Sequence, residues 1–430
     1  MNHLLKTLWA YWRTSRMSFA SSLELELHQS RHLKEHLAWL AQASPYFAPY
    51  AGKPLHQWPR MDKAVMMDNF DQMNTAGLRL ADVFDVALRS EKDRNFAPML
   101  NGYTVGLSSG TSARRGVFVA SPAERAAWAG IILAKALPRG LFAGERVALF
   151  LRANSSLYTA IESRWLTFRF FDLFASFDSH YEGLCKYNPT VLVAPAQVLR
   201  QLALAKLAGK LPGVQPVKVI SAAEVLELAD RQLVVQAFGA VHELYQATEG
   251  FLASTCAYGT LHLNEEFIHI EPEWLDAKRE RFVPVITDFT RVTQPIIRYR
   301  LNDVLVRRSG QCPCGSHSMA LHAIEGRCDD MLELPGLTGG TVHAFADVVS
   351  RALAQALPVE ADYSLVQTSP TELMLTAPVS TAQLTSVLAH LEEAFRALLV
   401  DVRKLTWTLK AGEPVSNQTA KRRRIRREFV

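Results

Sequence analysis

The sequence predicts an α/β protein with a large N-terminal unit of mostly parallel sheets and a smaller C-terminal α+β unit. Its 430 residues are 49% hydrophobic and 21% charged, enough to form more than one buried core. Between residues 121 and 245, short apolar segments alternate with helix-length segments, as in parallel sheets covered on both faces. After residue 328 the chain changes to glycine-rich turns and mixed elements, so we expect domains spanning residues 1–328 and 329–430.

The N-terminal unit is expected to begin with helices. Leucines recur at helical spacing over 19–43, and shorter helical patterns cover 62–73 and 80–88. The alternating region predicts helices over 121–137, 155–166, 197–208 and 222–238, and strands over 145–151, 168–174, 190–194, 217–221 and up to residue 245. In the C-terminal unit we expect helices over 341–356 and 381–399, two strands within 363–377 and a strand over 402–409.

The net charge of +5 is concentrated at one end of the chain. Residues 421–430 contain six basic residues and one acidic residue, and the remainder contains 41 of each sign. This balance argues against nucleic acid as a partner. No signal peptide is recognisable, no segment reaches the roughly 18 apolar residues of a membrane span, and five scattered cysteines form no disulfide framework. We therefore expect a cytoplasmic protein.

A loop rich in hydroxyl side chains lies within residues 105–118. It offers hydroxyl donors, a glycine that permits close approach of the backbone, and two guanidinium groups: Ser108, Ser109, Gly110, Thr111, Ser112, Arg114 and Arg115. These groups suit a polyphosphate, although the segment lacks the Gly-Lys-Ser/Thr of a P-loop. The alternative is a polar surface turn.

Two further segments carry groups that a nucleotide could use. Tyr245, Thr248 and Glu249 lie just after a predicted strand, where α/β sheets bind ligands, and a carboxylate there could hold Mg²⁺. Asp303 follows a basic and aromatic run at 298–302 and could bind a ribose diol. Taken singly, Tyr245 also fits a core position, Glu249 a solvated turn and Asp303 a surface ion pair.

In combination these segments give the chain a family resemblance. Residues 108–116, 245–249, 300–303 and 326–330 follow the order and spacing of the adenylate-forming superfamily, which includes acyl-CoA ligases, luciferases and the adenylation domains of peptide synthetases. The chain most resembles the phenylacetate–CoA ligase-like branch and its relatives that adenylylate a deazaflavin coenzyme, because of residues 297–300, 312–315 and 326–331. The resemblance covers nearly the whole chain.

The resemblance implies a role for each matched residue. The loop residues Ser108, Ser109, Gly110, Thr111 and Ser112, with Arg115, would bind the β- and γ-phosphates of ATP. Ala223 and Glu224 would lie alongside the adenine, and Tyr245 would stack on it. Thr248 would contact the α-phosphate and Glu249 would bind Mg²⁺. Asp303 would hold the ribose, and Arg327 would assist in binding the nucleotide. Asp329 would be the hinge about which the C-terminal domain turns as a lid.

The chain departs from the family pattern in two places. The loop has Ala113 and an arginine pair where the family commonly has a second glycine and a Pro-Lys pair. The family's catalytic lysine follows a glycine in a loop that begins with proline; the nearest match is 414–421, with Ala420 in place of the glycine, so Lys421 is the expected catalytic residue. Alternatively Lys421 belongs to a solvated basic tail, with Lys410 or an arginine taking the role.

Cys256, His262, Cys312 and Cys314 form a candidate metal site. Thiolate and imidazole ligands, two of them on a tight Cys-x-Cys turn, suit a closed tetrahedral zinc site of the structural kind. Similar positions recur in the branch that the chain resembles. The alternative is that these cysteines are free thiols packed as small apolar groups.

The resemblance implies an ATP-dependent ligase. It would convert a small-molecule carboxylic acid to an acyl-adenylate with release of pyrophosphate, and pass the acyl group to the thiol of CoA or of a phosphopantetheine on an acyl carrier protein. The aromatic run at 168–174 favours an aromatic or long acyl group. Two alternatives remain: transfer of AMP to a hydroxyl of a cofactor-like substrate, and a nucleotide-binding scaffold that has lost turnover.

Overall fold

The computed structural model describes residues 3–93, 98–107, 116–151, 163–173, 177–327, 331–358, 360–414 and 423–429. The helices are α1 (His3–Ser15), α2 (Ser22–Ala43), α3 (Lys63–Asp68), α4 (Phe70–Met73), α5 (Leu80–Asp93), α6 (Pro122–Ala136), α7 (Phe177–Tyr187), α8 (Ala196–Leu207), α9 (Leu228–Phe238), α10 (Ala346–Ala356) and α11 (Thr381–Ala397). None of the helices in these ranges has both the length and the apolar composition needed to cross a bilayer.

The strands of the larger part of the chain are β1 (Met99–Leu100), β2 (Tyr103–Leu107), β3 (Val117–Ala120), β4 (Glu145–Leu151), β5 (Leu166–Asp172), β6 (Val191–Ala194), β7 (Lys218–Ala222), β8 (His242–Ala247), β9 (Gly250–Thr255), β10 (Leu261–Leu263), β11 (Ile268–Trp274), β12 (Arg281–Asp288), β13 (Ile296–Arg300), β14 (Asp303–Arg307) and β15 (Ala320–Arg327). The C-terminal strands are β16 (Leu332–Pro335), β17 (Thr341–Ala344), β18 (Ser364–Ser369), β19 (Glu372–Ala377), β20 (Thr406–Ala411) and β21 (Ile425–Arg427).

A twelve-stranded sheet forms the centre of the large part, in the order β11-β12-β14-β15-β10-β9-β8-β7-β6-β4-β5 with β13 paired to β12. From β5 to β8 the neighbouring strands are parallel, and helices α7, α8 and α9 supply crossovers that parallel pairing requires. From β8 onward every pair is antiparallel. The α/β fold class is confirmed, and the parallel pairing occupies one half of this sheet.

The junction of the two halves is the tight turn between β8 and β9. Thr248 and Glu249 make this turn, so they lie at the carboxyl end of the last parallel strand. In open α/β sheets that edge is where ligands bind. The fold therefore positions the residues of the predicted nucleotide segment at the expected edge.

A separate three-stranded sheet holds the ends of the hydroxyl-rich loop. Strands β2 and β3 are antiparallel, and Leu107 pairs with Val117 on either side of residues 108–115. The amide side chain of Gln294, just before β13, accepts from the Val119 backbone N–H at 2.8 Å and donates to the Val117 carbonyl at 3.1 Å. This bridge fixes β3 to the central sheet.

The C-terminal part has its own sheets and its own core. Strands β16 and β17 form a hairpin, and the order β20-β19-β18-β21 makes a four-stranded sheet covered by α10 and α11. Leu365, Leu375 and Phe395 are among its fully buried side chains. The proposed boundary at 328–329 lies outside the described residues, so the division at that position stays a prediction.

Some sequence-based boundaries are wrong. The helix predicted over 341–356 begins only at Ala346, because residues 341–344 pair with β16 as a strand. The helix predicted over 222–238 begins at Leu228, and the strand predicted over 402–409 starts with a short 3₁₀ turn at Val402–Lys404. In each case a turn or a partner strand takes residues whose local pattern alone fits the longer element.

The basic C-terminal run is not a solvated tail over its described residues. Residues 425–427 form β21, parallel to β18. Arg424 is 6% exposed and its guanidinium bonds Asp230 and Glu227 of the large part and Asp362 of the C-terminal part, at 2.7 to 3.0 Å. Tyr363 donates to Glu227 at 2.6 Å. We call these residues the interdomain charge cluster.

Candidate functional site

Tyr245 and Asp303 meet at the carboxyl edge of the sheet. The Tyr245 hydroxyl donates to the Asp303 carboxylate at 2.5 Å, across 58 positions of sequence. Tyr245 is 8% exposed, and burial, followed by the charge and hydrogen bond of Asp303, raises the pKa of its hydroxyl well above the usual value. The hydroxyl therefore stays protonated and orients the Asp303 carboxylate.

Glu249 lies near this pair and is held by a second tyrosine. Tyr299, which is 4% exposed, shares a side-chain hydrogen bond with Glu249; burial first, then the charge of Glu249, raises the pKa of Tyr299. The charges of Glu249 and Arg327 also act on the Tyr245 hydroxyl, and Arg327 pairs with Asp303 across β14 and β15. The structure thus brings Tyr245, Glu249, Asp303 and Arg327 together from strands β8, β14 and β15 and the β8–β9 turn.

A narrow crevice opens beside Glu249. It is lined by side chains from α3, β3, the β8–β9 turn and the segment before β13: Lys63, Met66, Met67, Gly116, Val117, Thr248, Glu249, Arg291, Gln294, Ile296 and Tyr299. Gly116 and Val117 directly follow the hydroxyl-rich loop in sequence. The chain immediately after that loop therefore lines the same crevice as the acidic turn.

Arg291 is a cation of this crevice that sequence reasoning missed. It is 7% exposed, its Nη1 donates to the Thr248 carbonyl at 3.1 Å, and its buried Nε has no hydrogen-bond partner among the described residues. Buried Glu124 holds the Arg291 loop by accepting from the backbone N–H groups of Val292 and Thr293 at 2.8 and 2.9 Å. The polar run at 287–294, lying between two apolar strands, was the available signal.

Gly250 and Asp288 fit closely behind the turn. A Cβ at residue 250 would lie 2.7 Å from Asp288 Oδ2, so the turn tolerates only glycine there without displacing the carboxylate. Asp288 is 2% exposed, and burial raises its pKa to about 6 although Thr290 donates two hydrogen bonds to it. Buried Asp288 therefore lies directly against Gly250 and supports the β8–β9 turn.

The predicted adenine segment has a defined local structure. Ala223 has a φ of 70°, and the Glu224 carboxylate accepts from the Gln197 backbone and side-chain N–H groups at 3.1 and 3.0 Å. Glu224 therefore caps the start of α8, where a carboxylate satisfies free helix amides. This contact orients the backbone of residues 223 and 224 at the end of β7.

Arg298 and Arg300, which accompany Asp303 in the sequence, act structurally. Arg298 bonds the Glu271 carboxylate at 2.9 Å and two backbone carbonyls, and Arg300 bonds Glu273 at 2.8 Å. The sequence left open that Asp303 makes a surface ion pair. In the structure the ion pairs of this segment are made by Arg298 and Arg300. Asp303 instead faces Tyr245.

Several predicted site residues lie outside the described residues. They are Ser108, Ser109, Gly110, Thr111, Ser112 and Arg115 of the loop, the hinge Asp329, and the lysine Lys421. Their roles stay predictions.

The four predicted zinc ligands converge at the other end of β9. Their donor atoms all lie within 4.8 Å of one another; the Cys256 and Cys312 sulfurs are 3.8 Å apart, and Cys314 Sγ is 3.4 Å from His262 Nε2. Tetrahedral zinc with Zn–S near 2.3 Å and Zn–N near 2.0 Å requires spacings of about 3.8 and 3.6 Å. His262 Nδ1 donates to the Ser318 carbonyl at 3.0 Å, which directs Nε2 toward the thiols. The donor set fits zinc.

This cluster is distant from the acidic turn. Strand β9 runs from Gly250 to Thr255 between them, roughly 20 Å at about 3.3 Å per residue. The cluster joins the turn after β9 to the Cys312–Cys314 turn between β14 and β15.

Comparison with solved structures identifies the fold. 2-Hydroxyisobutyryl-CoA ligase in the postadenylation state, in complex with R3-HIB-AMP, matches with a TM-score of 0.71 at 17% identity over 97% of this chain and 91% of that chain. The chain therefore has the fold of 2-hydroxyisobutyryl-CoA ligase. The amide bond synthetase McbA from Marinactinospora thermotolerans matches with a TM-score of 0.53 at 12% identity, over 75% of this chain and 68% of that one. No protein-family model and no curated protein matches the sequence.

The similarity to this ligase differs between two conformational states of the enzyme. The same 2-hydroxyisobutyryl-CoA ligase in its thioesterification state, with 2-HIB-AMP and CoA, gives a TM-score of 0.57 over the same 97% of this chain. The chain is thus more similar in structure to the postadenylation state of that enzyme than to its thioesterification state.

Proposed function

We propose that this chain is an ATP-dependent acid–thiol ligase that forms an acyl-adenylate and transfers the acyl group to CoA. The convergence of Tyr245, Glu249, Asp303 and Arg327 at one edge of the central sheet carries the proposal. Each of these residues was matched to a nucleotide role from its sequence motif alone. The meeting of Tyr245 and Asp303 across 58 positions of sequence is what a shared mononucleotide site requires.

In this proposal the cleft holds ATP by groups already oriented. Asp303, fixed by the Tyr245 hydroxyl, accepts from the ribose hydroxyls, and the aromatic face of Tyr245 lies against the base. The backbone of Ala223 and Glu224 lies alongside the adenine. Gly116 brings the hydroxyl-rich loop to the crevice, where Ser108, Ser109, Gly110, Thr111, Ser112 and Arg115 bind the outer phosphates.

The acidic turn and Arg291 serve the reacting phosphate. Glu249 would hold the Mg²⁺ that accompanies ATP, and the ion would neutralise phosphate charge. Thr248 contacts the α-phosphate, and Arg291, bonded to the Thr248 carbonyl, places a fixed positive charge beside it. The substrate carboxylate attacks the α-phosphorus and pyrophosphate leaves, and cationic groups stabilise the charge that develops.

The C-terminal domain, residues 329–430, acts as a lid that turns about Asp329. We propose Lys421 as its catalytic lysine. It precedes Arg424 by three positions, and Arg424 is anchored to the large domain by buried ion pairs. Greater similarity to a postadenylation state supports the view that this arrangement serves the first half-reaction. The lid then turns so that a thiol can displace AMP.

We further propose that Cys256, His262, Cys312 and Cys314 bind a structural zinc ion. The measured donor spacings support this assignment. The ion would hold two sequence-distant turns together, a role that needs no open coordination position. Thiolate ligands also favour a reducing compartment, consistent with a cytoplasmic location.

The test is exchange of labelled pyrophosphate into ATP across a panel of aromatic, hydroxy and fatty acids. We expect at least one acid to support exchange, and addition of CoA to yield its thioester. Lys421→Ala should suppress exchange by about 100-fold or more while ATP binding stays within about two-fold, as for a group acting mainly in the transition state. Silence across the panel with intact ATP binding would contradict the ligase and favour a scaffold; a stable adenylylated product without thiol consumption would favour AMP transfer.

A further inference from the structure

The first helix, α1, is docked on the protein with its apolar face turned outward. Leu4, Leu5, Leu8, Trp9 and Trp12 recur at positions i, i+1, i+4, i+5 and i+8, which makes one face of a helix. They are 38%, 55%, 36%, 55% and 54% exposed. A surface helix ordinarily buries such a face against the core.

The inward face of α1 is made of small residues. Thr7, Ala10 and Thr14 are its buried residues, at 5%, 5% and 7% exposure, and they pack on α6. The contact is tight: a Cβ added at Gly130 of α6 would lie 2.4 Å from the Thr7 carbonyl oxygen and 2.8 Å from the Ala10 Cβ. Because this approach fixes the rotation of α1, the outward direction of the leucines and tryptophans is specified by the fold.

The exposed face is accompanied by positive charge. Lys6 and Arg13 lie on α1 and Arg16 follows it, and the chain has no acidic residue before Glu24. The Arg13 guanidinium lies 5.4 Å from the Trp9 ring centroid, and that of Arg16 lies 4.4 Å from the Trp12 centroid. Each tryptophan ring therefore has a guanidinium group lying over it.

We propose that this α1 face binds the surface of an anionic membrane, with the helix lying in the interface plane. Leucine and tryptophan on one face, flanked by lysine and arginine, is the pattern of interfacial helices, and tryptophan favours the headgroup level. The helix is too short to span a bilayer and has only to rest on it. This inference is independent of the proposed ligase activity.

A membrane suits this face better than a second protein does. Two half-exposed tryptophans and three partly exposed leucines present on the order of 400 Å² of apolar surface, since a buried aromatic contributes about 150–250 Å². A stable protein interface needs about 800 Å² from each partner. A lipid surface has no such threshold, and its negative charge complements Lys6, Arg13 and Arg16.

The experiment is co-sedimentation of the full chain with vesicles of phosphatidylcholine alone and of phosphatidylcholine mixed with phosphatidylglycerol. We expect binding to the anionic vesicles only, weakening with added salt. Arg13→Gln with Arg16→Gln should lower partitioning by about ten-fold or more, since each cation at such a surface contributes about five-fold. Leu5→Gln with Trp9→Gln should abolish it.

The control is Leu207→Gln with Leu399→Gln, which alters leucines that are 47% and 64% exposed elsewhere. This variant should partition as the unaltered protein does, and circular dichroism should show that all variants are folded. The proposal is overturned if the unaltered protein ignores anionic vesicles, or if the α1 and control variants partition alike. It is equally overturned if light scattering shows a dimer that Leu5→Gln with Trp9→Gln dissociates, because the face would then belong to a second copy.

Discussion

Replacing Arg424 by alanine tests whether the interdomain charge cluster holds the two parts of the protein together. Arg424 bonds Asp230 through both terminal nitrogens at 2.7 and 2.9 Å, and Glu227 and Asp362 at 2.8 and 3.0 Å. Burial acts against the cation, but the charges of Glu227 and Asp230 outweigh it and raise the pKa of Arg424. The substitution removes the central charge and leaves three carboxylates facing one another.

The expected loss in the free energy of unfolding depends on the burial of Asp230, which is 2% exposed. Removing one partner of a buried ion pair costs about 3–5 kcal/mol, because the remaining charge is left without compensation. Arg200 still bonds Asp230 at 2.9 Å, so we expect the lower end, about 3 kcal/mol. If the 430-residue chain unfolds as one unit, such a loss should lower the thermal midpoint by about 3 °C.

The assay is thermal unfolding with a matched control on the same strand. Arg426 pairs at 2.9 Å with Glu428, but the two side chains are 38% and 48% exposed, so Arg426→Ala should change stability by about 0.5 kcal/mol or less. Hydrogen exchange at α9 should rise in Arg424→Ala and not in Arg426→Ala. The reasoning is refuted if the two variants unfold at the same temperature, or if Arg424→Ala and Asp230→Ala are additive in the double variant.

Three other predictions concern the site and its supports. Purified protein should contain about one zinc ion per chain by elemental analysis; Cys256→Ser should lose it and unfold earlier, whereas Cys185→Ser, outside the cluster, should keep it. Tyr245→Phe should raise the KM for ATP by about ten-fold with a smaller change in kcat, because it removes the hydrogen bond that orients Asp303; an unchanged KM would show that this bond does not position the nucleotide. Burial raises the pKa of Asp288 from its usual 3.8 to about 6, so the folded chain binds a proton that the unfolded chain releases, and stability should fall by about 2 kcal/mol as pH rises from 4 to 6; urea unfolding of Asp288→Asn should show a flatter profile over that range.

The fold class could be predicted from sequence because alternating apolar segments and helices have few packing solutions. The same local patterns misplaced the starts of α9 and α10, where a turn or a paired strand interrupts a helical pattern. They also did not separate parallel from antiparallel strands, since antiparallel strands such as β9 and β12 are as buried and apolar as the parallel ones. Strand direction is decided by connections, not by composition.

Sequence reasoning located Glu249 and Asp303 because their motifs are contiguous, but it missed Arg291 and the Glu124 that holds its loop. The polar run at 287–294 is a local signal, but it does not single out Arg291 as a site residue. Its importance depends on β3, α6 and the β8–β9 turn packing around it, which is a property of the assembled sheet. The sequence also did not predict that the apolar face of α1 is exposed. An apolar stripe on a helix does not indicate which side of the helix the protein covers.

By itself the sequence determined the chemistry available to this protein: hydroxyls and guanidinium groups for phosphate, carboxylates for ribose and Mg²⁺, and thiols for zinc. Only the tertiary structure decided which of these groups share a site, because contacts such as Tyr245 with Asp303 and Cys256 with Cys312 join residues 58 and 56 positions apart. Local sequence governs the conformation of nearby residues, whereas such distant meetings are set by strand order and close packing of the whole chain.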